Sequence, residues 1–537
     1  MNSLDWIILF LYILFIIGMG WYVGKKQTSR EDYYLGGRRM PPWQIGLSIM
    51  ATQVSAISLI GAPAFIALKG NGGLVWLQYE FAIPLAMIAI MLVLVPVFRK
   101  TRAITIYEYL ELRFNENVRT VVSLIFLISR GLGAGVALLA TGIVTAVCLD
   151  WPLAETILLI GVVSIIYTTF GGIVADIYSD ILQLVILWGG AILTVFILWE
   201  MTAGPEFAVS AAEISRYHVF DFKATGMGDG QTFAFWPMVI GGFFLYVSYY
   251  GCDQSQAQRL LTTETGQGAK KALFLNGMLR FPLVLTYSLI GVLLIPFLAR
   301  HADFASRLEG VNPDFLVPYF LTQYLPHGIL GLLIAGLFAA SMSSIDSALN
   351  SLSASLYQDI LVKKIPVLNT ISTQKQVRLS RWLTIGWGIL ATGFALQLIG
   401  GSETVLELVN KIGSAFYGPV LAVFILGIFS RRSSALPVMT GLLAGVTVNI
   451  LLWQFFEHTV SWLWWNVTGF FTACLFSWII SLFIQPPAKK ETSEEHMLNA
   501  GQLFKLGSAK AFIWWLVIGF AAIILLGFGL EIVLLGG

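Results

Sequence analysis

Apolar runs of about 20 residues recur from Trp6 to Leu535, each long enough to cross about 30 Å of hydrocarbon as a helix. In lipid every backbone polar group must be satisfied within the protein, so only helices or a closed barrel can span. Strand-like alternation is absent, which removes the barrel. Charged residues make up only 12% of the 537, about half the 25% usual for soluble domains. The chain therefore reads as an all-α integral membrane protein.

Fourteen spans are predicted: 5–24, 43–69, 73–98, 118–149, 153–170, 174–200, 234–251, 272–299, 328–361, 377–399, 404–430, 433–455, 462–484 and 511–535. The first is followed by Lys25, Lys26 and Arg30, with no basic segment before it and no small-residue cleavage site after it, as expected of an uncleaved span. With the N-terminus outside, the cytoplasmic connections and adjoining helix ends hold 24 of the 32 Lys and Arg, and the outer side holds five. That asymmetry is the positive-inside pattern, and it puts both termini outside. Arg259 of DQSQAQR counts among the cytoplasmic charges, whereas Arg130, Arg280 and Lys411 fall inside spans. Long connections lie at 201–233 and 300–327, and 485–510 reads as a polar cytoplasmic linker.

The stretch from Gly328 to Ile360 concentrates polar chemistry in an apolar helix. Ser343, Asp346, Ser347 and Asn350 recur at helical spacing and share one face. Serines alone are explained by close helix packing. An intramembrane Asp is costly and normally faces a partner, a cavity or an ion. Hydroxyls, carbonyls and a carboxylate are hard oxygen donors, which suit hard cations.

Two other spans are interrupted by polar residues and Gly or Pro. One breaks at Ala51–Ser58 and again at Gly61–Pro63; the other reads Tyr246-Val247-Ser248-Tyr249-Tyr250-Gly251-Cys252-Asp253. Discontinuous helices let unwound carbonyls face a cavity, and a matched pair, each opening five spans, points to an inverted-repeat transporter. Asp180, Glu80 and Arg280 also lie inside spans. A buried carboxylate and guanidinium can neutralise each other as a helix-to-helix pair, or be bridged by a hydroxylated solute. No phosphate loop, HExxH or paired CxxC occurs; Cys148, Cys252 and Cys474 are scattered, and the five His lie near span ends or outside them. An enzyme is disfavoured, and no nucleic-acid partner or obligate protein partner is indicated.

Five segments carry a family resemblance: REDYYLGGR (30–38), TIYEYLELRF (105–114), YTTFGGIVADIYSDILQ (167–183), DQSQAQR (253–259) and AASMSSIDSALNS (339–351). The chain from about 5 to 485 resembles the sodium/solute symporter family, which includes sodium–sugar, sodium–proline and sialic acid transporters. The resemblance implies a LeuT-type five-plus-five core. Residues 1–42 hold the leading helix and a cytoplasmic loop, 43–200 the first repeat, and 234–430 the second repeat across the outer loop 201–233. Two accessory helices (431–484), the linker (485–510) and a last helix (511–537) follow.

For the family's common sodium site the resemblance implies the carbonyls of Ala51, Val54 and Ala340 and the hydroxyls of Ser343 and Ser344. A second sodium site, present in some members, maps onto Asp180, Ser343, Asp346 and Ser347, where many members have Ser in place of Asp346. One sodium ion is expected, and two are consistent with the pattern. The pocket maps onto Tyr246, Tyr249, Tyr250, Glu80, Arg280, Asn410, Gln53 and Ser58, with Ser55 and Gln78 on the same segments. The arginine that grips sialic acid has no in-register match, because Arg130 falls about two residues early. The expected activity is sodium-coupled import of a small polar solute, a sugar or polyol, across the plasma (inner) membrane. The alternatives are a proton-coupled transporter of the same fold for an organic acid or amino acid, and a transporter-like ligand sensor.

Overall fold

The computed structural model describes the chain except residues 1, 26, 54–55, 102, 203–210, 401–404, 485–496, 499–508 and 536–537. Among the described residues every regular element is helical, with no named strand. Among the described residues ten helices are long and apolar enough to cross a membrane, or eleven when one bent pair counts as a single span.

Helix α1 (Ser3–Gly24) buries one stripe, Asp5, Leu9, Tyr12, Ile16, Gly20 and Gly24, at the three- and four-residue spacing of a single helical face. Asn2 and Asp5 form a reciprocal capping box at its start. The Asp5 carboxylate also accepts from the backbone N–H groups of Gly328 (2.7 Å) and Gly331 (3.0 Å). It thereby holds the start of the helix that carries Ser343–Asn350.

Helices α2 (Pro42–Gln53) and α3 (Ala56–Ala67) form the bent pair, and the break turns the axis by 49°. The second expected interruption does not occur: α3 continues through Pro63. Close packing holds it there, since a Cβ at Gly291 would stand 2.9 Å from the Pro63 Cα.

Helix α4 (Leu74–Thr101) starts as a tight 3-10 stretch, Leu74–Phe81, and α5 follows (Glu116–Leu149). Helix α6 (Leu153–Thr202) has 50 residues. At 1.5 Å per residue it would reach about 75 Å, more than twice the hydrocarbon thickness. It breaks at Gly172 (φ 56°, ψ −166°), a conformation open almost only to glycine. The sequence had placed the boundary between its fifth and sixth spans at 170–174.

Helix α7 (Pro237–Cys252) ends at Asp253, whose backbone is extended and whose side chain caps α8 (Gln254–Leu261). The interruption therefore falls at Asp253. Gly251 stays helical and serves close approach instead, because a Cβ there would stand 2.1 Å from Leu94 Cδ1.

The remaining helices are α9 (Gly266–Arg300), α10 (Ile329–Lys364), α11 (Thr373–Gln397), α12 (Val405–Phe429), α13 (Ala435–Phe456), α14 (Trp462–Phe483) and α15 (Lys510–Leu535). Helix α10 packs against α5 and α6, α9 packs against α2 and α3, and α1 lies against α6 and α10. The broken pair thus sits inside the bundle, flanked by the helices that carry the polar residues.

Candidate ion and solute site

Helix α10 meets the end of α2 where its serines begin. The Ser344 hydroxyl donates to the Thr52 carbonyl at 3.0 Å, and Ala51 is buried one residue earlier. Ala340 lies within α10. Val54, expected to give a carbonyl, and Ser55, expected in the pocket, lie outside the described residues. Of the common sodium set, the structure brings Ser344 beside the α2 terminus, while the Ser343 hydroxyl donates to Asp180. Among the described residues no three His, Cys, Asp or Glu side chains gather as a transition-metal site.

The residues expected at the second sodium site divide between two clusters. Asp180 accepts hydrogen bonds from Ser48, Ser343 and Arg259, the last at 3.0 Å. The Arg259 Nη2 donates also to Asp176 at 2.7 Å, and its Nε donates to the Ser48 hydroxyl at 2.7 Å. Ser347 hydrogen-bonds Asp176 and donates to the Ser343 carbonyl at 2.7 Å. Arg259 therefore joins α2, α6 and α10 at one point. It is fully buried, so it is a charge of the helix bundle and not a solvated one. The full set of nitrogen donors is used on carboxylates, hydroxyls and the Ser255 carbonyl (2.8 Å), as a desolvated guanidinium requires.

Asp346 faces elsewhere. The Thr168 hydroxyl donates to its Oδ1, and its Oδ2 has no hydrogen-bond partner among the described residues. Asn350, one turn on, accepts from Gln258 at 3.0 Å.

A cavity of about 110 Å³ lies beside these helices, and both Ser344 and Thr52 line it. At roughly 10–15 Å³ per water on this scale, it has room for a compact solute. Of the residues expected in the pocket, Gln53, Ser58, Glu80, Tyr249, Arg280 and Asn410 are on its wall. Tyr246 and Tyr250 stand behind it: Tyr246 donates to Glu80 Oε1 at 3.4 Å, and Tyr250 donates to the Gln53 side-chain carbonyl. Gln78 turns away. Its carbonyl accepts the Asp221 N–H at 3.2 Å, and its amide donates to the Val75 carbonyl at 3.1 Å.

Glu80 and Arg280 form a two-pronged pair, Nε to Oε2 at 2.9 Å and Nη2 to Oε1 at 3.3 Å. The pair is electrically neutral, and Arg280 keeps Nη1 without a partner. Arg130, which the sequence placed inside a span and out of register with the sialic acid-gripping arginine, lines the cavity. Its guanidinium carbon lies 5.8 Å from the Tyr249 ring centroid, and its Nε has no partner. No ion pair holds it among the described residues. An isolated guanidinium within an apolar span was the available signal, by the same reasoning that singled out Asp346. Trp76, Tyr287 and Tyr417 also line the cavity; they were indistinguishable in sequence from other membrane aromatics.

Outside the spans, Asp314 is buried in the outer connection. Burial pushes its carboxyl up to about 6, against the Val405 backbone N–H and Lys69, which favour the charged form.

The sodium:solute symporter family model matches residues 33–445. The sodium/sialic acid symporter NanT of Aliivibrio fischeri is 30% identical over 488 residues, covering 88% of this chain and 94% of that protein. Human sodium-coupled monocarboxylate transporter 2 is 30% identical over 438 residues, covering 79% of this chain and 67% of its own length. A substrate-bound, outward-open structure of a Na+-coupled sialic acid symporter matches with a TM-score of 0.79 at 24% identity, over 91% of this chain and 100% of that one. Mhp1, a nucleobase-cation-symport-1 family transporter, matches with a TM-score of 0.52 at 15% identity, over 88% and 98%. The fold is the all-α LeuT-type arrangement these transporters share.

Proposed function

The chain belongs to the sodium:solute symporter family and is a sodium-coupled, multi-pass membrane transporter rather than an enzyme; on that premise we propose that its solute is a small organic anion. The observation that carries this reading is Arg130, a cavity-lining guanidinium held by no carboxylate among the described residues. Glu80 and Arg280 cancel each other as an ion pair, whereas Arg130 is reached by the Asp253 carboxylate only at a distance and stands on the cavity wall without an ion pair among the described residues. A carboxylate about 4 Å away gains about 4 kcal/mol of Coulomb energy at an effective dielectric of about 20, and the planar guanidinium fits it with two parallel hydrogen bonds.

Coupling follows from the wall the two ligands share. Ser344 belongs both to the proposed sodium ligands and to the cavity lining. Sodium held there and an anion beside it attract each other, so each raises the affinity for the other by the same factor. Closure then follows from the loaded site's differential affinity for the two conformations. The relatives named for sialic acid and monocarboxylates are in keeping with an acidic solute. Repeats at 43–200 and 234–430, with both termini outside, belong to the same reading.

A second reading, a neutral sugar or polyol, is favoured by the Glu80–Arg280 pair and the tyrosine hydroxyls around it, which offer donors and acceptors without net charge. Uptake into proteoliposomes under a sodium gradient separates the two, using short-chain carboxylates against neutral polyols. The anion reading expects saturable carboxylate uptake that Arg130→Gln weakens strongly. Polyol uptake insensitive to Arg130→Gln would favour the second reading.

A further inference from the structure

The last helix, α15, packs on α4 and α9, the helices that carry Glu80 and Arg280. Its buried stripe is Leu516, Gly519, Ile523 and Gly527. The contacts along it are close. A Cβ at Gly277 of α9 would stand 2.6 Å from Leu516 Cδ2, and a Cβ at Gly527 would stand 3.1 Å from the Phe220 ring and 3.3 Å from that of Phe81. One residue on, the Phe528 ring stacks on Phe220 with centroids 4.1 Å apart. Packing of this kind seats a helix, and α15 adds a carboxylate to it.

One turn after Gly527, Glu531 meets the outer connection. Its Oε2 accepts the backbone N–H groups of Val219 and Phe220, each at 3.1 Å, and its Oε1 lies 2.8 Å from His218 Nδ1. The segment it holds, 216–221, is packed into the protein, with Tyr217 and Val219 buried. At one end the Arg216 guanidinium donates to the carbonyls of Lys69 (2.8 Å), Ile66 (3.1 Å) and Leu68 (3.4 Å), the acceptors that the end of α3 leaves over. At the other end the Asp221 N–H donates to the Gln78 side chain of α4. The segment is thus a strap from α15 to the second half of the broken pair and to the 3-10 stretch of α4. Both of those elements reach the cavity: Ser58 and Ala62 of α3 and Trp76, Tyr79 and Glu80 of α4 line it.

We propose that Glu531 is a positioning residue for the solute cavity, holding the α3 and α4 parts of its wall through the 216–221 strap. A buried N–H without an acceptor is costly, and those of Val219 and Phe220 are met by a carboxylate, the stronger kind of acceptor. The apolar stripe seats α15 on α4 and α9 with or without that bond, so the bond's consequence falls on the strap. Removing the carboxylate frees the strap, and the wall opens locally while the rest of the fold stays closed. The assignment holds for an anionic or a neutral solute, because neither Arg130 nor the Ser344 position enters it.

The test reads the wall directly and needs no solute. Ser58→Cys puts a thiol on the cavity side of α3, and its rate of reaction with a charged methanethiosulfonate reagent is measured on the purified, detergent-solubilised chain in sodium. The chain without that substitution gives the background from Cys148, Cys252 and Cys474. In the Ser58→Cys chain, Glu531→Ala should raise the rate by about five- to tenfold, the shift in a local opening that one lost hydrogen bond supplies. Glu531→Gln keeps one carbonyl for the two N–H groups and should bring the rate back to within about twofold of the starting value. Gln78→Ala releases the far end of the strap and should act like Glu531→Ala, with the double variant no faster than either alone. Gln78→Ala carries the test if Glu531→Ala fails to fold. A lower melting temperature with the rate unchanged in Glu531→Ala and Gln78→Ala is what mere anchoring of α15 would give, and it would overturn the assignment. Effects that add in the double variant would overturn it too.

Discussion

Two systems of buried charge flank the broken helix, and they are met in different ways. At the Arg259 cluster one guanidinium is bonded by Asp176, Asp180, Ser48 and Ser255, and every nitrogen has an acceptor. On the cavity wall Glu80 answers Arg280, but among the described residues no carboxylate is ion-paired with Arg130. Asp346 mirrors Arg130 with the opposite sign, since one of its oxygens is unpaired. Satisfied charge holds helices together. Charge without an ion pair, such as Arg130 on the cavity wall, is suited to a ligand of opposite sign.

The comparison breaks most severely at Arg259. Arg259→Ala leaves two carboxylates unpaired in the bundle, so a loss of about 3–5 kcal/mol in stability is expected, seen as a lower melting temperature and poor recovery. Arg130→Gln removes a charge from a wall that already stands without an ion pair. Its expected effect is an increase of about 30-fold in half-saturation for an anionic solute, from the loss of about 2 kcal/mol of charge-assisted bonding. The melting temperature without solute should change little. Were Arg130→Gln to destabilise as Arg259→Ala does, the division between structural and functional charge would fail.

Ser344→Ala sharpens the comparison at the boundary between the two systems. One neutral oxygen is lost, and sodium activation of uptake should weaken about tenfold while solute affinity at saturating sodium is largely kept. Away from both systems, a pH effect is expected at Asp314, a buried carboxyl in the outer connection. Its folded-state value of about 6 stands above the ordinary carboxylate value of 3.8, so its stabilising contribution is complete below about 4 and is lost as pH rises through 6. The change is at most about 3 kcal/mol. Melting curves should shift downward from pH 5 to pH 7, and Asp314→Asn should flatten that part of the profile.

Much of this arrangement was legible in the sequence because membrane helices announce themselves locally. The apolar runs, the break after Gln53, the boundary near Gly172 and the Ser343–Asn350 face depend on neighbours in sequence. Glu80 and Arg280 were recognised as potential partners because intramembrane charges are rare. What stayed hidden depends on three dimensions. DQSQAQR gave no sign that Arg259 enters the bundle, since a charge beside a span end reads as solvated. Gln78 shares a segment with Glu80, but the 3-10 winding of Leu74–Phe81 turns it to the outer loop.

Thermal stability of the purified wild-type chain, measured with small carboxylates in sodium and again in potassium, bears most directly on the joint binding of ion and anion. A ligand at a hundredfold excess over its dissociation constant stabilises by about 2.7 kcal/mol, well within reach of a melting curve. Stabilisation by a carboxylate in sodium and none in potassium is the expected result. Equal stabilisation in both salts would contradict the shared wall at Ser344 as the basis of coupling.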